Sequence, residues 1–257
     1  MRQPPFKCLF CGTTQGIFGN VEHPIPESMG NDETILPRGF VCDLCNQYFG
    51  SKIEQPIMAH PPFNMERVAA SIKTKNHGYT TYRDQSLLLQ SAGFWNHVLF
   101  ATTPDRYKTL FEKDKGCLLV RPPANYVMLL ARFLIKMGLE LLTLTDDVDP
   151  YSAMFDKARL CSRYGNGAIS WEVAYGLYPR PEDLVKSKRC DEIGPLETRQ
   201  IYQYEMGFIP NGDFHICFVY ITHCFACNLS SPSIQEYIRQ FNRINEFQMT
   251  AGSGLMI

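Results

Sequence analysis

Residues 41–50 read VCDLCNQYFG and contain the second of two Cys-x-x-Cys pairs in a chain of 257 residues. The first pair is Cys8 and Cys11, and the second is Cys42 and Cys45. Each tight Cys-x-x-Cys turn presents two sulfurs to one ion, so two pairs supply the four thiolates of a tetrahedral zinc site. We therefore predict one Zn²⁺ with a structural role, because four protein ligands close the site. Redox-active dithiols and free buried cysteines are the alternatives.

The segment around these pairs, residues 1–60, is rich in turn-forming residues and has few large aliphatic ones. Such a segment cannot bury much apolar surface by itself, which is a second reason to expect a structural metal. The proline-rich run Gln55–Pro62 then predicts a linker, and we place a domain boundary near residue 60. Residues 61–257 would form a larger mixed α+β domain, whose role in DNA binding, sensing or assembly is left open.

The stretch between the two pairs includes Val21–Pro26, which reads VEHPIP, and Asn46 directly follows the second pair. This order of a Cys-x-x-Cys, an acid-His-x-x-Pro strand and a Cys-x-x-Cys-Asn helix start resembles the HNH endonucleases. These belong to the ββα-metal superfamily, and the resemblance is to the subgroup braced by a four-cysteine zinc. It covers about residues 6–58. It implies a small treble-clef-like ββα module that hydrolyses phosphodiester bonds.

The resemblance implies a role for each residue of the motif. His23 would be the general base that activates water, and imidazole suits this role because it titrates near neutrality. Glu22 and Asn46 would hold a Mg²⁺ or Mn²⁺ through one carboxylate and one amide oxygen. The family's last helix position is commonly His or Asn, whereas this chain has Glu54 eight residues after Asn46. Glu54 is therefore a further candidate ligand, directly or through water, with a plain surface charge as the alternative.

Plainer interpretations stand beside these assignments. His23 could be a surface histidine, Glu22 a solvated acid, and Asn46 a residue that caps its own helix. The family's middle Asn, which orients the base, has no clear counterpart here, and Asn31 is only the nearest candidate. His60 follows the proline-rich step and is expected to be structural.

The net charge of −1 excludes a protein that holds nucleic acid through bulk positive charge. A polyanion must instead be met by local cations. Within the module Lys52 is the candidate, and in the larger domain Lys157, Arg159 and Arg163 are, with an ordinary solvated helix face as the alternative for these three. We expect DNA as the substrate, with RNA also open, and a homo-oligomer or a partner protein bound through the larger domain.

The remaining chain predicts ordinary α+β elements. Tyr126–Leu144 predicts a nearly buried helix, since three charged residues interrupt it and exclude a membrane span. A second helix should follow Asp149-Pro150 and end at the Gly-Asn-Gly of residues 165–167. Residues 200–209 and 214–224 predict a hairpin around an Asn-Gly turn. Short strands are expected near residues 78–82 and 94–101, and a closing helix over residues 233–241.

The most favoured function is metal-dependent endonucleolytic cleavage of DNA in a bacterial or phage setting such as defence. Residues 1–10 do not read as a secretory signal, which favours the cytoplasm. Two rivals remain: a zinc module that binds nucleic acid without cutting it, and a structural zinc platform attached to a sensor domain. A second metal site at His223-Cys224-x-x-Cys227 is disfavoured because no second cysteine pair accompanies it.

Overall fold

The computed structural model describes residues 2–31, 33–74, 78–83, 87–93, 98–102, 124–165, 170–177, 201–244 and 248–251. Helices and two antiparallel sheets alternate along this part of the chain, so the predicted mixed α+β class is confirmed. Within the same residues no helix is both long and apolar enough to cross a membrane. Residues 94–97, 166 and 167, which carried part of the sequence predictions, lie outside the described residues.

The N-terminal segment is organised around one long helical stretch. It comprises α1 (Asp43–Phe49), a π-helical turn (Gly50–Glu54) and α2 (Gln55–Met58), and α3 (Phe63–Ala69) follows. The predicted linker over Gln55–Pro62 is therefore wrong in its first half. Ile57 and Met58 are buried, and their contacts with the core hold this stretch in a helix despite Pro56. Pro56 has no N–H to donate within this stretch, and it is tolerated where the π-helical turn passes into α2 because these buried contacts offset the loss.

The hairpin expected before α1 is much shorter than a ββα module suggests. In the described residues it consists of one antiparallel bridge, in which the Leu36 N–H donates to the Glu22 carbonyl at 2.9 Å. The loop between them contains a 3₁₀ turn, Glu27–Met29. Asn31 braces this loop, because its amide nitrogen donates to the carbonyls of Ile25 and Thr34 at 2.6 and 3.0 Å. Asn31 is thus a structural residue of the loop.

The first sheet has three antiparallel strands, β1 (Thr81–Arg83), β2 (Leu87–Ser91) and β3 (Val98–Thr102), in that order. Helix α3 packs against β1 and β2. This sheet therefore extends directly from the end of the N-terminal helices, and it brings Arg83 close to them.

The second sheet has five antiparallel strands in the order β5-β6-β7-β4-β8. These are β4 (Val173–Leu177), β5 (Tyr202–Phe208), β6 (Phe214–Tyr220), β7 (His223–Asn228) and β8 (Thr250–Ala251). The predicted hairpin is confirmed as β5 and β6. Its second strand ends at Tyr220 instead of Cys224, because Ile221 adopts a positive φ of 57° and reverses the chain into β7.

Three helices complete the fold: α4 (Tyr126–Thr143), α5 (Asp156–Tyr164) and α6 (Gln235–Ile244). Helix α5 starts later than predicted after Asp149-Pro150, because a 3₁₀ turn (Ala153–Phe155) capped by Ser152 comes first. Its predicted end is confirmed, since Gly165 adopts the left-handed conformation with φ of 61°. Helix α6 covers one face of the five-stranded sheet through Tyr237 and Phe241.

Helix α4 lies at the centre of the molecule. One side packs against β6 and β7, and the other packs against α2 and the π-helical turn. A single hydrophobic cluster consequently joins Phe49 and Ile57 of the N-terminal segment to Phe133 of α4 and Phe218 and Phe225 of the sheet. The small core that the sequence of residues 1–60 indicates is therefore supplemented by apolar side chains from the rest of the chain.

Candidate active site and metal centre

The four cysteines of the two pairs converge at the start of α1. Their sulfur atoms all lie within 4.8 Å of one another, and Cys11 Sγ is 3.7 Å from Cys42 Sγ. A tetrahedral zinc with Zn–S bonds of about 2.3 Å places its sulfurs about 3.8 Å apart. Among the residues that the structure describes, this is the only group of three or more His, Cys, Asp or Glu side chains with metal-site geometry. The donor set and its spacing fit a structural zinc.

Arg163 of α5 lies against this cluster. Its Nε donates to Cys45 Sγ at 3.3 Å, and its guanidinium lies over the Tyr48 ring, 3.9 Å from the centroid. The Cys45 thiol in turn hydrogen-bonds to Cys8 and lowers the pKa of Cys8 to about 4. A cation beside metal-binding thiolates stabilises their negative charge. Arg163 was expected to contact substrate phosphate, and its guanidinium is instead engaged at the cysteine cluster.

His23 follows the bridge residue Glu22 and points toward the 3₁₀ turn. Its Nε2 is 3.2 Å from Glu27 Oε1, while its Nδ1 is buried and has no hydrogen-bond partner. When Nε2–H donates to the Glu27 carboxylate, Nδ1 is the nitrogen with the free lone pair. Sequence reasoning did not identify Glu27, although its position four residues after His23 was a usable signal.

The Glu22 carboxylate turns inward, where it meets a lysine from α4. Lys136 Nζ lies 2.6 Å from Glu22 Oε1, 2.8 Å from Glu54 Oε1 and 3.0 Å from Glu140 Oε2. The same ammonium donates to the His23 carbonyl oxygen at 3.0 Å. Lys136 and Glu140 are fully buried. Both proposed acidic ligands therefore contact one buried cation that lies far away in the sequence.

This cluster of three carboxylates and one ammonium is strongly coupled. Burial would lower the pKa of Lys136, but Glu140, Glu22 and Glu54 together raise it well above its ordinary value, so the amine is charged. Burial raises the pKa of Glu22 and of Glu140, and Lys136 only partly opposes this. Glu140 Oε1 also lacks a hydrogen-bond partner, and Oε2 is held only by its ion pair with Lys136. The cluster is therefore short of positive charge.

The positions of Glu22, Glu54 and Asn46 show how well these residues are suited to bind a divalent cation. Carboxylate oxygens are the ligands that Mg²⁺ prefers, and those of Glu22 and Glu54 converge on one point. That point is Lys136 Nζ. Asn46, the third expected ligand, donates through Nδ2 to the Val21 carbonyl at 3.0 Å, which leaves its amide beside the strand end that carries Glu22. The donors are thus of the right kind and near one another, with a resident ammonium among them.

A cavity of about 520 Å³ opens beside Glu54. Two arginines line it: Arg67 of α3 and Arg83 of β1. Arg67 Nε is buried without a hydrogen-bond partner, and its Nη1 reaches only the Met58 carbonyl at 3.5 Å. Small polar side chains complete the wall: Ser28, Asn64, Thr80 and Thr81. The cavity therefore offers cationic and hydrogen-bonding groups next to Glu54, whereas Glu22, His23 and Asn46 do not line it.

The other sequence-predicted residues have varied surroundings. Lys52 and Lys157 are exposed. Arg159 pairs with Asp156 and donates to the Pro150 carbonyl at 2.6 Å, so its guanidinium is engaged locally. His60 Nδ1 lies 2.7 Å from the Pro56 carbonyl, in line with the expected structural role.

The segment His223-Cys224-x-x-Cys227, disfavoured as a metal site from sequence, lies in β7. His223 Nε2 instead pairs with Glu66 Oε1 at 3.0 Å. Cys224 Sγ lies 3.3 Å from Cys217 Sγ.

Comparison with protein families matches residues 8–62 to a family described as HNH endonuclease. Comparisons with curated proteins and with solved structures gave no match. The matched segment contains both cysteine pairs, the Glu22-His23 step, Asn46 and Glu54. The resemblance inferred from the order of these motifs is therefore confirmed for the N-terminal segment, and it indicates a nuclease with a nucleic-acid substrate. Lys136 and Glu140 lie outside the matched residues.

Proposed function

Since residues 8–62 match the HNH endonuclease family, we propose that this protein is a metal-dependent endonuclease that hydrolyses DNA phosphodiester bonds. The observation that carries the proposal is the imidazole of His23. It has one nitrogen paired with Glu27 and the other without a partner, within the matched motif. A general base needs such a nitrogen, because it must accept a proton from the attacking water.

In this mechanism His23 Nδ1 takes the proton of the water that attacks the phosphorus. Because Nδ1 is buried in this structure, the side chains that cover it must move aside when substrate binds. The imidazolium that forms keeps its Nε2–H bonded to Glu27, whose carboxylate stabilises the new positive charge. Glu27 thus plays an orienting part, and His23 moves the proton. Lys136 holds the His23 backbone carbonyl and thereby fixes the chain that carries the base.

We further propose that Glu22 and Asn46, with Glu54 as a third candidate, hold the divalent cation, Mg²⁺ or Mn²⁺. Such an ion polarises a phosphate oxygen and offsets the charge on the leaving oxygen. Oxygen donors of this kind suit both ions. The four cysteines hold a separate zinc, which braces the segment and takes no part in the chemistry.

The cavity beside Glu54 is the proposed path of the nucleic acid. Arg67 and Arg83 lie there as phosphate-binding groups, with exposed Lys52 and Lys157 as further candidates. We propose DNA as the substrate, with RNA as the alternative, and a cytoplasmic role in bacterial or phage defence. Residues beyond the matched segment would supply substrate contacts or bind a second copy or another protein.

One observation favours a second candidate, a nucleic-acid-binding module that does not cut. Lys136 already neutralises part of the charge of Glu22 and Glu54, so a divalent cation is not needed to hold these carboxylates together. The two candidates differ over His23, whose removal should matter only for an enzyme.

The deciding experiment is incubation of the purified, zinc-loaded full-length protein with supercoiled plasmid, with Mg²⁺, with Mn²⁺, or with EDTA after the zinc content is verified. We expect nicking and linearisation that depend on the added ion. His23→Ala should lower the rate about 10²- to 10⁴-fold, the usual loss when a general base is removed.

His60→Ala is the matched control, because His60 lies in the same segment and bonds only to a backbone carbonyl among the described contacts. It should leave the rate within twofold of wild type if its fold is retained. Equal cutting by wild type and His23→Ala would end the catalytic proposal. DNA binding without any cutting by wild type would favour the binding module.

A further inference from the structure

Lys136 differs from the other cations near the proposed site in both burial and partners. Its side chain has no solvent-exposed surface, and three carboxylates surround its ammonium at 2.6 to 3.0 Å. It comes from α4, outside the residues that match the HNH endonuclease family. The family match therefore assigns no role to this residue, and the reason for its presence must lie in the local geometry.

Lys136 Nζ is surrounded by oxygens at 2.6 to 3.0 Å, although the three carboxylates do not by themselves have metal-site geometry while the ammonium is among them. Four oxygens approach the ammonium: one from each of Glu22, Glu54 and Glu140, and the His23 backbone carbonyl. Two of the carboxylates belong to the residues proposed to hold the divalent cation. An ammonium and a divalent cation that share ligand oxygens repel one another, because both are positive and only a few ångströms apart.

We propose that Lys136 is the resident cation of the carboxylate cluster and competes there with the divalent ion, so that it sets how tightly Mg²⁺ or Mn²⁺ binds. This inference rests on the proposed function. Without a divalent ion, the ammonium keeps Glu22 and Glu54 together and holds the chain at His23. When the divalent ion binds, Glu22 and Glu54 would coordinate it and would lose part of their contact with Lys136.

The charge balance explains why a divalent ion can bind although Lys136 is already present: the carboxylates outnumber the ammonium. Three carboxylates face one ammonium, and among the described contacts Glu140 Oε2 pairs with Lys136 while Oε1 has no hydrogen-bond partner. Glu140 is also the next residue on the same face of α4, four positions after Lys136. It gives the ammonium an inner partner when the outer carboxylates turn to the divalent ion. Lys136 is thus a positioning residue, since it acts through Glu22, Glu54 and the backbone of His23.

The test measures Mn²⁺ binding to the zinc-loaded full-length protein by electron paramagnetic resonance, which reports free Mn²⁺ and does not depend on activity. Lys136→Gln and Lys136→Met remove the charge, and Gln can still donate to Glu22 and to the His23 carbonyl. Both variants should bind Mn²⁺ about tenfold or more tightly than wild type, because a competing positive charge has been removed.

Arg132→Gln is the matched control. It removes a positive charge one turn earlier on α4, where the guanidinium contacts Tyr48 and the Ser162 carbonyl instead of the carboxylates. Its Mn²⁺ affinity should equal that of wild type. If a Lys136 variant is unstable alone, the inference requires that Mn²⁺ raise its Tm more than it raises the Tm of wild type. Failure of both variants to fold even with Mn²⁺ would overturn it.

The outcomes separate this inference from the proposed function. Unchanged or weaker Mn²⁺ binding by both Lys136 variants would overturn the role of Lys136, even if wild type cuts DNA. Tighter Mn²⁺ binding by the variants, in a protein whose wild type cuts no nucleic acid, would support the role of Lys136 and refute the nuclease proposal.

Discussion

Glu27 is the residue that decides which nitrogen of His23 is free to accept a proton. If Nε2–H donates to its carboxylate, Glu27→Ala removes both the orientation of the imidazole and the stabilisation of the imidazolium. We expect kcat for plasmid cutting to fall about tenfold, with little change in KM. This loss is smaller than the loss of about 10²- to 10⁴-fold expected when His23 itself is removed, because the base is still present. The measurement is kcat and KM for plasmid cutting by wild type and the variant under the same conditions.

A conservative variant and a control variant test this prediction further. Glu27→Gln keeps an oxygen that accepts the Nε2–H bond, so it should retain more activity than Glu27→Ala. Glu33→Ala changes an exposed acid in the same loop and serves as the control. An Ala variant with the kcat of wild type would show that Glu27 is only a surface charge.

At the scale of residues, the part of the site that lies in one short segment could be predicted from sequence. The spacing of the cysteines fixes their convergence, and the motif order identifies Glu22 and His23. Lys136 could not be predicted, because its contact with Glu22 depends on how α4 docks against the N-terminal segment. The spacing of the charged residues on α4 showed a stripe, but spacing alone does not tell a solvated stripe from a buried one.

Helix α4 depends on a close approach to the five-stranded sheet at Gly138. A Cβ placed there would lie 2.7 Å from Leu229 Cδ1 and 3.4 Å from Ile216 Cγ2, and both side chains are fully buried. Alanine normally stabilises a helix by about 1 kcal/mol relative to glycine. Overpacking in a core costs about 1–3 kcal/mol. Gly138→Ala should therefore lower the free energy of unfolding by up to about 2 kcal/mol, as measured by urea denaturation.

Gly50 gives the opposite case within another helical stretch. Its φ of −53° is helical, and a Cβ there would meet no atom within 4 Å. Gly50→Ala should raise the free energy of unfolding by about 0.5–1 kcal/mol. If both alanine variants shift stability in the same direction, then close packing at Gly138 does not decide the effect.

The elements themselves were predicted with uneven success, for reasons that lie in tertiary packing. The long apolar run that became α4 and the Asn-Gly hairpin carry strong local signals, and both predictions are confirmed. The run Gln55–Pro62 carries a strong local signal for a linker, yet its first half is helical because Ile57 and Met58 find buried partners in the shared core. Proline content alone does not reveal such partners.

The whole molecule carries a net charge of −1, so its hold on a polyanion must come from a few local cations. Arg83 is exposed and lines the cavity beside Glu54, which makes it the sharpest test of the proposed path. Arg83→Ala should weaken DNA binding at low salt. It should also reduce the slope of log K against log salt by about one, because one phosphate contact is lost. Fluorescence anisotropy with a labelled duplex across a salt series measures both.

Lys73→Ala is the control, since Lys73 is an exposed cation on the neighbouring stretch that does not line the cavity. The slope should stay that of wild type. Equal slopes for all three proteins would place the nucleic acid elsewhere on the surface.

The domain boundary near residue 60 stays a prediction, and the hydrophobic cluster that joins both sides of it favours one cooperative unit.

The lysine on α4 bears on protein engineering and on how such a chain could evolve. A chimaera that transplants residues 8–62 onto a foreign scaffold would carry the zinc cysteines and the His23 motif intact. It would not carry Lys136, whose ammonium neutralises part of the charge of Glu22 and Glu54 in this protein. The recipient would have to supply an equivalent ammonium from an unrelated helix, or accept two carboxylates repelling one another in its interior. Recombination at the end of the matched segment is therefore disfavoured, and the segment and α4 should be inherited together.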